Sequence, residues 1–294
     1  TVGVFKPHDR VYDLVEEHFD CTKSEVLFVS SNGWDAAGAA GYGFDTAWIN
    51  RVGDPVDRLY ATPTHILTDL TTIPELQSDW ADYKTYTIPQ EAADALALLD
   101  HLGLEKAAIL GTSRGGLIAM LLAATAKDRL LGVVLNDIGP EIDPKGMKVI
   151  AGYIGTNPPE TNHEDAARAR ARNWVQFKGV PHARWLAEVR AHYAQTSDGL
   201  VARYDPKLRD AVLAGLAQPA PDLWPLYDAL GGLPLALIRG ANSDLLSEAC
   251  ADEMLRRRPD IIRADIADRG HVPFLDEDDA LDALTEWLED LHEH

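Results

Sequence analysis

Short apolar runs alternate with amphipathic stretches along most of the chain. In the N-terminal quarter, Val26-Leu27-Phe28-Val29, Thr46-Ala47-Trp48-Ile49 and His65-Ile66-Leu67 read as buried strands. Helical periods fall at 11–19 and 34–42, and a Gly/Pro-rich loop surrounds Gly53 and Pro55. Further on, 107–110, 131–135, 233–238 and 261–266 are four more apolar runs of strand length. Between the first two groups, 89–102 predicts a helix with Ala92, Leu96, Leu99 and Leu102 on one face, Pro89 in its first turn and Gly103 as its stop. A very apolar helix is predicted at 117–126. An amphipathic one follows at 279–291, through Leu281, Leu284, Trp287, Leu288 and Leu291. Such alternation predicts an α/β fold, a mostly parallel β-sheet flanked by helices.

The interval 140–232 breaks the alternation. It reads as helical and carries Trp174, Phe177, Trp185, Tyr193, Tyr204, Trp224 and Tyr227. An insertion of helices between two sheet strands predicts a cap over a site. Most of these aromatics are expected to pack the insertion itself.

Composition narrows the class without naming a chemistry. The chain has 294 residues, enough for one large α/β domain or two modest ones. Its hydrophobic share of 46% and charged share of 25% are ordinary for a globular protein. No run approaches the roughly 18 apolar residues of a membrane span. The opening Thr1-Val2-Gly3-Val4-Phe5-Lys6 lacks a basic region followed by an apolar core, so the expectation is a cytoplasmic chain with no membrane partner. The net charge of −20 opposes a nucleic-acid partner, because phosphate binding needs a basic surface. Cys21 and Cys250 stand far apart with no Cys-x-x-Cys or Cys/His spacing, so no disulfide framework, metal or cofactor is expected. Both read as small buried hydrophobes.

Gly111-Thr112-Ser113-Arg114-Gly115 stands between the run at 107–110 and the apolar helix. Strand, Gly-x-Ser-x-Gly and helix in that order form the pattern of a nucleophile elbow. Its turn holds the nucleophile in strained backbone, which calls for glycine-sized neighbours two residues away on either side. The helix N-terminus then favours negative charge near Ser113 Oγ, and the Arg114 N–H points to where an oxyanion forms. An acid and then a histidine must follow in the chain, each just past a strand. Asp244 follows the run at 233–238, and His271 follows the run at 261–266. Ser113 is therefore predicted as nucleophile, His271 as base and Asp244 as the acid that holds the imidazole tautomer. Asp244 also reads as an N-cap for a helix, and Asp137, past the run at 131–135, is the alternative acid.

Ser78-Asp79-Trp80, Gly111 to Gly116, Asn136-Asp137-Ile138-Gly139-Pro140-Glu141-Ile142-Asp143, Arg239 to Asp244 and Gly270-His271 together resemble bacterial α/β-hydrolase-fold serine esterases. The resemblance covers residues 77–294 and implies an α/β-hydrolase-type sheet with a helical cap at about 140–232. It implies acyl transfer to water through an acyl-enzyme, with a small ester, thioester or lactone as the small-molecule substrate. Dehalogenases of the same fold would carry Asp at the elbow, and Ser113 argues against that activity. In this family a His-Gly pair after an early strand supplies the second oxyanion donor. That pair is missing before the elbow, where the comparable feature is Ser31-Asn32-Gly33. An N–H of Asn32, Gly33 or Trp34 joins that of Arg114 if residues 1–76 continue the same sheet, the alternative being a two-domain fusion without that donor.

Residues 1–76 resemble something else. Phe5-Lys6-Pro7, Arg10-Val11-Tyr12, Val26 to Asp35 and Thr46-Ala47-Trp48-Ile49-Asn50-Arg51 are similar to the C-terminal half of L-2-haloacid dehalogenases, which implies a haloacid-dehalogenase-like βαβ segment. The resemblance assigns Lys6, Tyr12, Ser30, Asn32 and Asp35 to that family's active-site positions, where a Lys balances carboxylate charge and a polar cluster orients water or substrate. That family's nucleophile is an Asp, and no Asp-x-x-Gly-Thr-type segment stands ahead of Lys6. The five residues are accordingly read as structural relics. The segment also lacks the paired acids that hold Mg²⁺ in related phosphatases. Two alternatives to the esterase stay open: a dehalogenase-type hydrolase acting through these residues, and a catalytically impaired fusion or scaffold. Monomer and dimer are both compatible with the sequence.

Overall fold

The computed structural model describes residues 8–19, 22, 23, 26–30, 33–50, 61–67 and 83–293. The chain divides into two compact units, Thr1–Ala81 and Asp82–His294. Lys6, Cys21, Asn32, the loop around Gly53 and Pro55, and Ser78-Asp79-Trp80 lie outside the described residues.

The first unit holds β1 (Leu27–Ser30), β2 (Asp45–Ile49) and β3 (His65–Leu67), paired in parallel in that order. Its crossover helix Gly33–Tyr42 buries Ala36, Ala37 and Ala39, and such small side chains let a helix lie close to its strands. Aromatics complete the core. Tyr12, from the helix Asp9–Phe19, meets Phe28, Tyr42 and Phe44 with ring centroids 5.7, 5.5 and 6.1 Å away. Tilted and edge-on pairs of this kind add to the gain from burial.

The second unit carries β4 (Ala107–Thr112), β5 (Leu130–Asn136), β6 (Tyr193–Thr196), β7 (Gly199–Ala202), β8 (Leu235–Gly240) and β9 (Ile262–Ile266). Strands β4, β5, β8 and β9 form one parallel sheet in that order, each pair parallel as the alternation predicts. The unbroken apolar runs follow from burial on both faces. Val133 and Leu135 pack with Ala119, Met120, Cys250 and Met254 on one side, while Val134 packs with Ile238, Ala280 and Trp287 on the other. Successive residues of a strand point to opposite faces, so one apolar run serves two cores. Cys250 has the buried place expected of it, and burial pushes its thiol up to about 11.

The helix predicted at 117–126 begins earlier, as Arg114–Thr125, directly after Ser113. Between β5 and β8 come the helices Pro144–Tyr153, His163–Asn173, His182–His192, Leu208–Leu216 and Trp224–Asp228. The insertion is not wholly helical: β6 and β7 form an antiparallel hairpin with Tyr193 opposite Ala202. The turn Ser197-Asp198-Gly199 makes this possible, since Gly199 sits at φ 126°, which a side chain would oppose. Trp174, Phe177 and Trp185 pack the insertion, as expected, and Phe274 from the loop after His271 joins them. Tyr227 instead belongs to the sheet core and donates its O–H to Met254 O at 2.8 Å. Among the described residues no helix is long and apolar enough to cross a membrane.

Ile238 has no exposed surface and stands opposite Asn136 at the functional end of the sheet. Ile238→Ala is expected to cost about 2–5 kcal/mol, the range for a buried aliphatic truncation. Urea unfolding followed by tryptophan fluorescence measures it. A loss below about 1 kcal/mol would mean that this end of the sheet is not cooperatively packed.

Candidate active site

β4 ends at Thr112, and Ser113 turns the chain into the helix Arg114–Thr125 with φ 51° and ψ −117°. A non-glycine residue in this region is strained. A Cβ on Gly111 would lie 2.6 Å from Gly115 O, and one on Gly116 would collide with Ile138. Gly115 differs from expectation, because a Cβ there meets nothing within 4 Å. The demand for glycine thus falls on Gly111 and Gly116, where the strand and the helix approach each other most closely. The Arg114 side chain is held by Glu91, whose carboxylate oxygens accept from Nε at 2.8 and 3.1 Å.

His271 lies past β9, its side chain 8% exposed. Ser113 Oγ stands 2.8 Å from His271 Nε2, and His271 Nδ1 stands 2.7 Å from Asp137 Oδ2. A carboxylate only accepts, so Nδ1 carries the ring proton and the Nε2 lone pair faces the Ser113 hydroxyl. The structure brings Ser113 and His271 together as the chain order predicted. It puts a different acid on the histidine.

That acid is Asp137, not Asp244. Asp137 follows β5 directly, at φ 55°, with its carboxylate fully buried. Oδ1 accepts from the Gly240 N–H at 2.8 Å, and Oδ2 accepts from the Ser243 hydroxyl at 2.6 Å as well as from His271. Asp244 lies one residue beyond Ser243, where Gln176 Nε2 approaches its Oδ2 at 3.4 Å. The loop after β8 therefore offers Ser243, rather than Asp244, to the buried carboxylate. Ser243 Oγ also accepts from the N–H groups of Leu245 and Leu246, at 3.2 and 3.1 Å.

Three further residues, which lie within the motifs quoted from the sequence but were given no role there, position this chain of groups. Asn136 Nδ2 donates to Thr112 Oγ1 at 3.1 Å and to Pro273 O at 3.3 Å, tying two strand ends to the loop that carries His271. Gly240 passes so close to that loop that a Cβ on it would lie 2.7 Å from Arg269 O. Ser243 is the third. Among the described residues no three side chains of His, Cys, Asp or Glu converge as a metal-ligating cluster.

Ser113 and His271 open onto a cavity of about 320 Å³ beneath the insertion. Leu117, Ile138, Ile142, Met147, Ile150 and Leu245 give it a largely apolar wall, while Tyr153, Arg170, Glu188 and Tyr204 supply polar groups. Burial pushes the Tyr153 hydroxyl up to about 12 against the opposing charge of Arg170, so it remains a donor at neutral pH.

In the first unit, Tyr12, Ser30 and Asp35 come together. Asp35 accepts from the Tyr12 hydroxyl at 3.1 Å and from the Ser30 hydroxyl at 3.1 Å. Asp35 is 6% exposed, so these contacts also serve a buried acid inside the βαβ segment. Gly33 and Trp34 open the helix Gly33–Tyr42, with Trp34 half exposed.

Comparison with known proteins agrees with this architecture. The model of the alpha/beta hydrolase fold family matches residues 40–278. A 3-hydroxybutyrate-oligomer hydrolase of Cupriavidus necator is 32% identical over 206 residues, covering 67% of this chain and 70% of that protein. A solved α/β hydrolase of Novosphingobium aromaticivorans superposes with a TM-score of 0.65 at 36% identity, covering 71% of this chain and 74% of that one. The N-terminal segment matches (S)-2-haloacid dehalogenase H-109 of Pseudomonas putida, 49% identical over 80 residues. That match takes in 27% of this chain and 34% of the dehalogenase, so the chain spans a minor part of that relative's length.

The elbow geometry separates two substitutions that sequence alone treats alike. Gly111→Ala is expected to destabilise by about 1–3 kcal/mol through forced overlap with backbone. Gly115→Ala is expected to be neutral or to stabilise by up to about 1 kcal/mol, since alanine is the better helix former. Thermal melts of both variants side by side test this, and equal losses would show that both glycines are sterically required.

Proposed function

The chain belongs to the α/β-hydrolase fold family, and from that premise we propose that it cleaves small carboxylic esters through an acyl-enzyme on Ser113. The observation that carries this reading is the continuous hydrogen-bonded line from Ser113 Oγ through His271 to the buried Asp137, with links of 2.8 and 2.7 Å.

The steps follow from the geometry. Ser113 Oγ attacks the ester carbonyl carbon as its proton passes to His271 Nε2. Asp137 stabilises the resulting imidazolium and keeps the ring oriented, while remaining an anion itself. Negative charge on the former carbonyl oxygen is met by the Arg114 N–H at the start of the helix Arg114–Thr125. Collapse expels the alcohol, which takes its proton from His271. Water then attacks the acyl-enzyme with His271 again as base, and the carboxylic acid leaves with Ser113 restored. Gly33 and Trp34, expected to add a second oxyanion donor, belong to the first unit, and this mechanism gives them no part.

Two further observations support an ester substrate. The cavity at Ser113 is small and mostly apolar, suited to a short acyl or alkyl chain. The Cupriavidus necator relative is named for 3-hydroxybutyrate oligomers, whose units are joined by ester bonds.

A fluorophosphonate probe is expected to label the protein and not Ser113→Ala. Equal labelling of the two would overturn the nucleophile assignment. On a p-nitrophenyl ester, Asp137→Asn should lower kcat by about 10⁴ by favouring the wrong tautomer. Asp244→Asn should lower it by less than about tenfold, since it leaves the Asp137–His271 bond in place. The reverse order of losses would return the acid's role to Asp244.

A further inference from the structure

The insertion helix His163–Asn173 brings Arg170 to the wall of the cavity that holds Ser113 and His271. Its guanidinium lies 4.7 Å from the ring centre of Trp174 and 5.8 Å from that of Tyr193. Nη1 is buried and has no hydrogen-bond partner. Aromatic faces answer the charge of a guanidinium but not its N–H groups, and a buried donor left unpaired is costly.

Among the described residues that line the cavity the one carboxylate is Glu188, and it is turned to another arginine. Glu188 Oε1 accepts from Arg184 Nη1 at 2.6 Å, while His192 Nδ1 makes its 2.7 Å contact with the Glu188 backbone carbonyl. Of the neighbouring hydroxyls, that of Tyr193 interacts with the guanidinium, and none carries a negative charge. Tyr204 accepts from the Gly155 N–H at 2.9 Å, which leaves its own O–H to donate. Burial raises both Tyr153 and Tyr193 above the usual tyrosine range, with the charge of Arg170 opposing the shift in each. Both therefore stay protonated, and both sense the guanidinium. Among the described residues no carboxylate forms an ion pair with Arg170, and its Nη1 stays without a hydrogen-bond partner.

We propose that Arg170 determines specificity by binding a carboxylate carried by the ester that Ser113 cleaves, with the Tyr153 and Tyr204 hydroxyls donating to the same group. The proposal rests on the ester-hydrolase reading of Ser113 and names its substrate class: a half-ester or hydroxy-acid ester with one free carboxylate. A planar monoanion matches the donor fork of one guanidinium. A phosphate dianion would call for a second free cation in the cavity, and Arg114, the other arginine there, is bound to Glu91. The apolar wall at Met147 and Ile150 suits the methylene spacer between the ester and the acid.

The test compares p-nitrophenyl hydrogen glutarate with its uncharged methyl ester, following p-nitrophenolate release. The wild type is expected to favour the acid by about 10- to 100-fold in kcat/KM, mostly through KM, as a charge-assisted hydrogen-bonded pair implies. Arg170→Gln should bring that ratio close to one. Arg170→Lys, which keeps the charge without the fork, should give an intermediate ratio and shows that the variants fold. Equal turnover of both esters by the wild type, or an Arg170→Gln variant that slows both and keeps the ratio, would overturn the proposal. Calorimetry of monomethyl glutarate on Ser113→Ala, with and without Arg170→Gln, separates this subsite from the chemistry. Binding that depends on Arg170 in a protein whose wild type cleaves no ester would sink the ester reading and keep the subsite. Ester turnover with no Arg170-dependent binding would sink the subsite and keep the ester reading.

Discussion

Asp137 carries a carboxylate with no exposed surface, and an anion in that position is tolerated only if donors surround it. Its donors come from the end of β8 (the Gly240 N–H), from the loop beyond (the Ser243 hydroxyl) and from the turn after β9 (His271 Nδ1). Satisfying this one charge holds three separate chain segments in register. Asn136, immediately before it, extends the tie to Thr112 and Pro273. The imidazole is thereby oriented toward Ser113 by contacts that belong to the packing of the sheet, so the geometry exists before any substrate arrives.

Two strained residues share this region. Ser113 and Asp137 both have positive φ, at 51° and 55°, just past the ends of neighbouring strands. Each such conformation costs on the order of 1–3 kcal/mol and persists only where surrounding structure enforces it. Here the enforcement is the continued ladder: Ser113 N–H donates to Asn136 O at 3.0 Å, and Asp137 N–H donates to Ile238 O at 2.7 Å. The sheet thus sets both turns and fixes where the hydroxyl and the carboxylate leave their strands.

Much of this could be read from residue order, and the exceptions have physical causes. Ser113 was legible because an elbow needs strand, small residues and helix in sequence, a local requirement that leaves a local trace, and His271 because a histidine past a later strand must follow it. The acid was not, because Asp137 and Asp244 both follow apolar strands and both precede His271. Choosing between them needs the path of the loop after β8, and that path is a tertiary matter. The available hint was Ser243: a hydroxyl beside the candidate acid can serve a neighbouring buried carboxylate. The hairpin of β6 and β7 was missed despite a cue in Asp198-Gly199, because the aromatic helices around it dominated the pattern. Tyr12, Ser30 and Asp35 do cluster in the first unit, but mutual hydrogen bonding of a buried acid is a sufficient structural reason for them.

Net charge and the character of the cavity point in opposite directions. A total of −20 repels anions at long range, which is why composition argues against a nucleic-acid partner. That field is screened over about 10 Å in ordinary salt, so it governs approach rather than contact. Inside the cavity the balance is local, and there the guanidinium of Arg170 faces tyrosine hydroxyls and aromatic rings instead of a paired carboxylate. Other arginines of the insertion find partners: Arg168 bonds Asp165, Arg184 bonds Glu188, and Arg209 bonds two backbone carbonyls. In a chain with 47 acidic residues, Arg170 has no carboxylate partner among the described residues and keeps a buried Nη1 without an acceptor. An acidic surface and an anion-seeking cavity are compatible because they act over different distances, and a selective site gains from both: the surface discourages polyanions, while the cavity retains one small carboxylate.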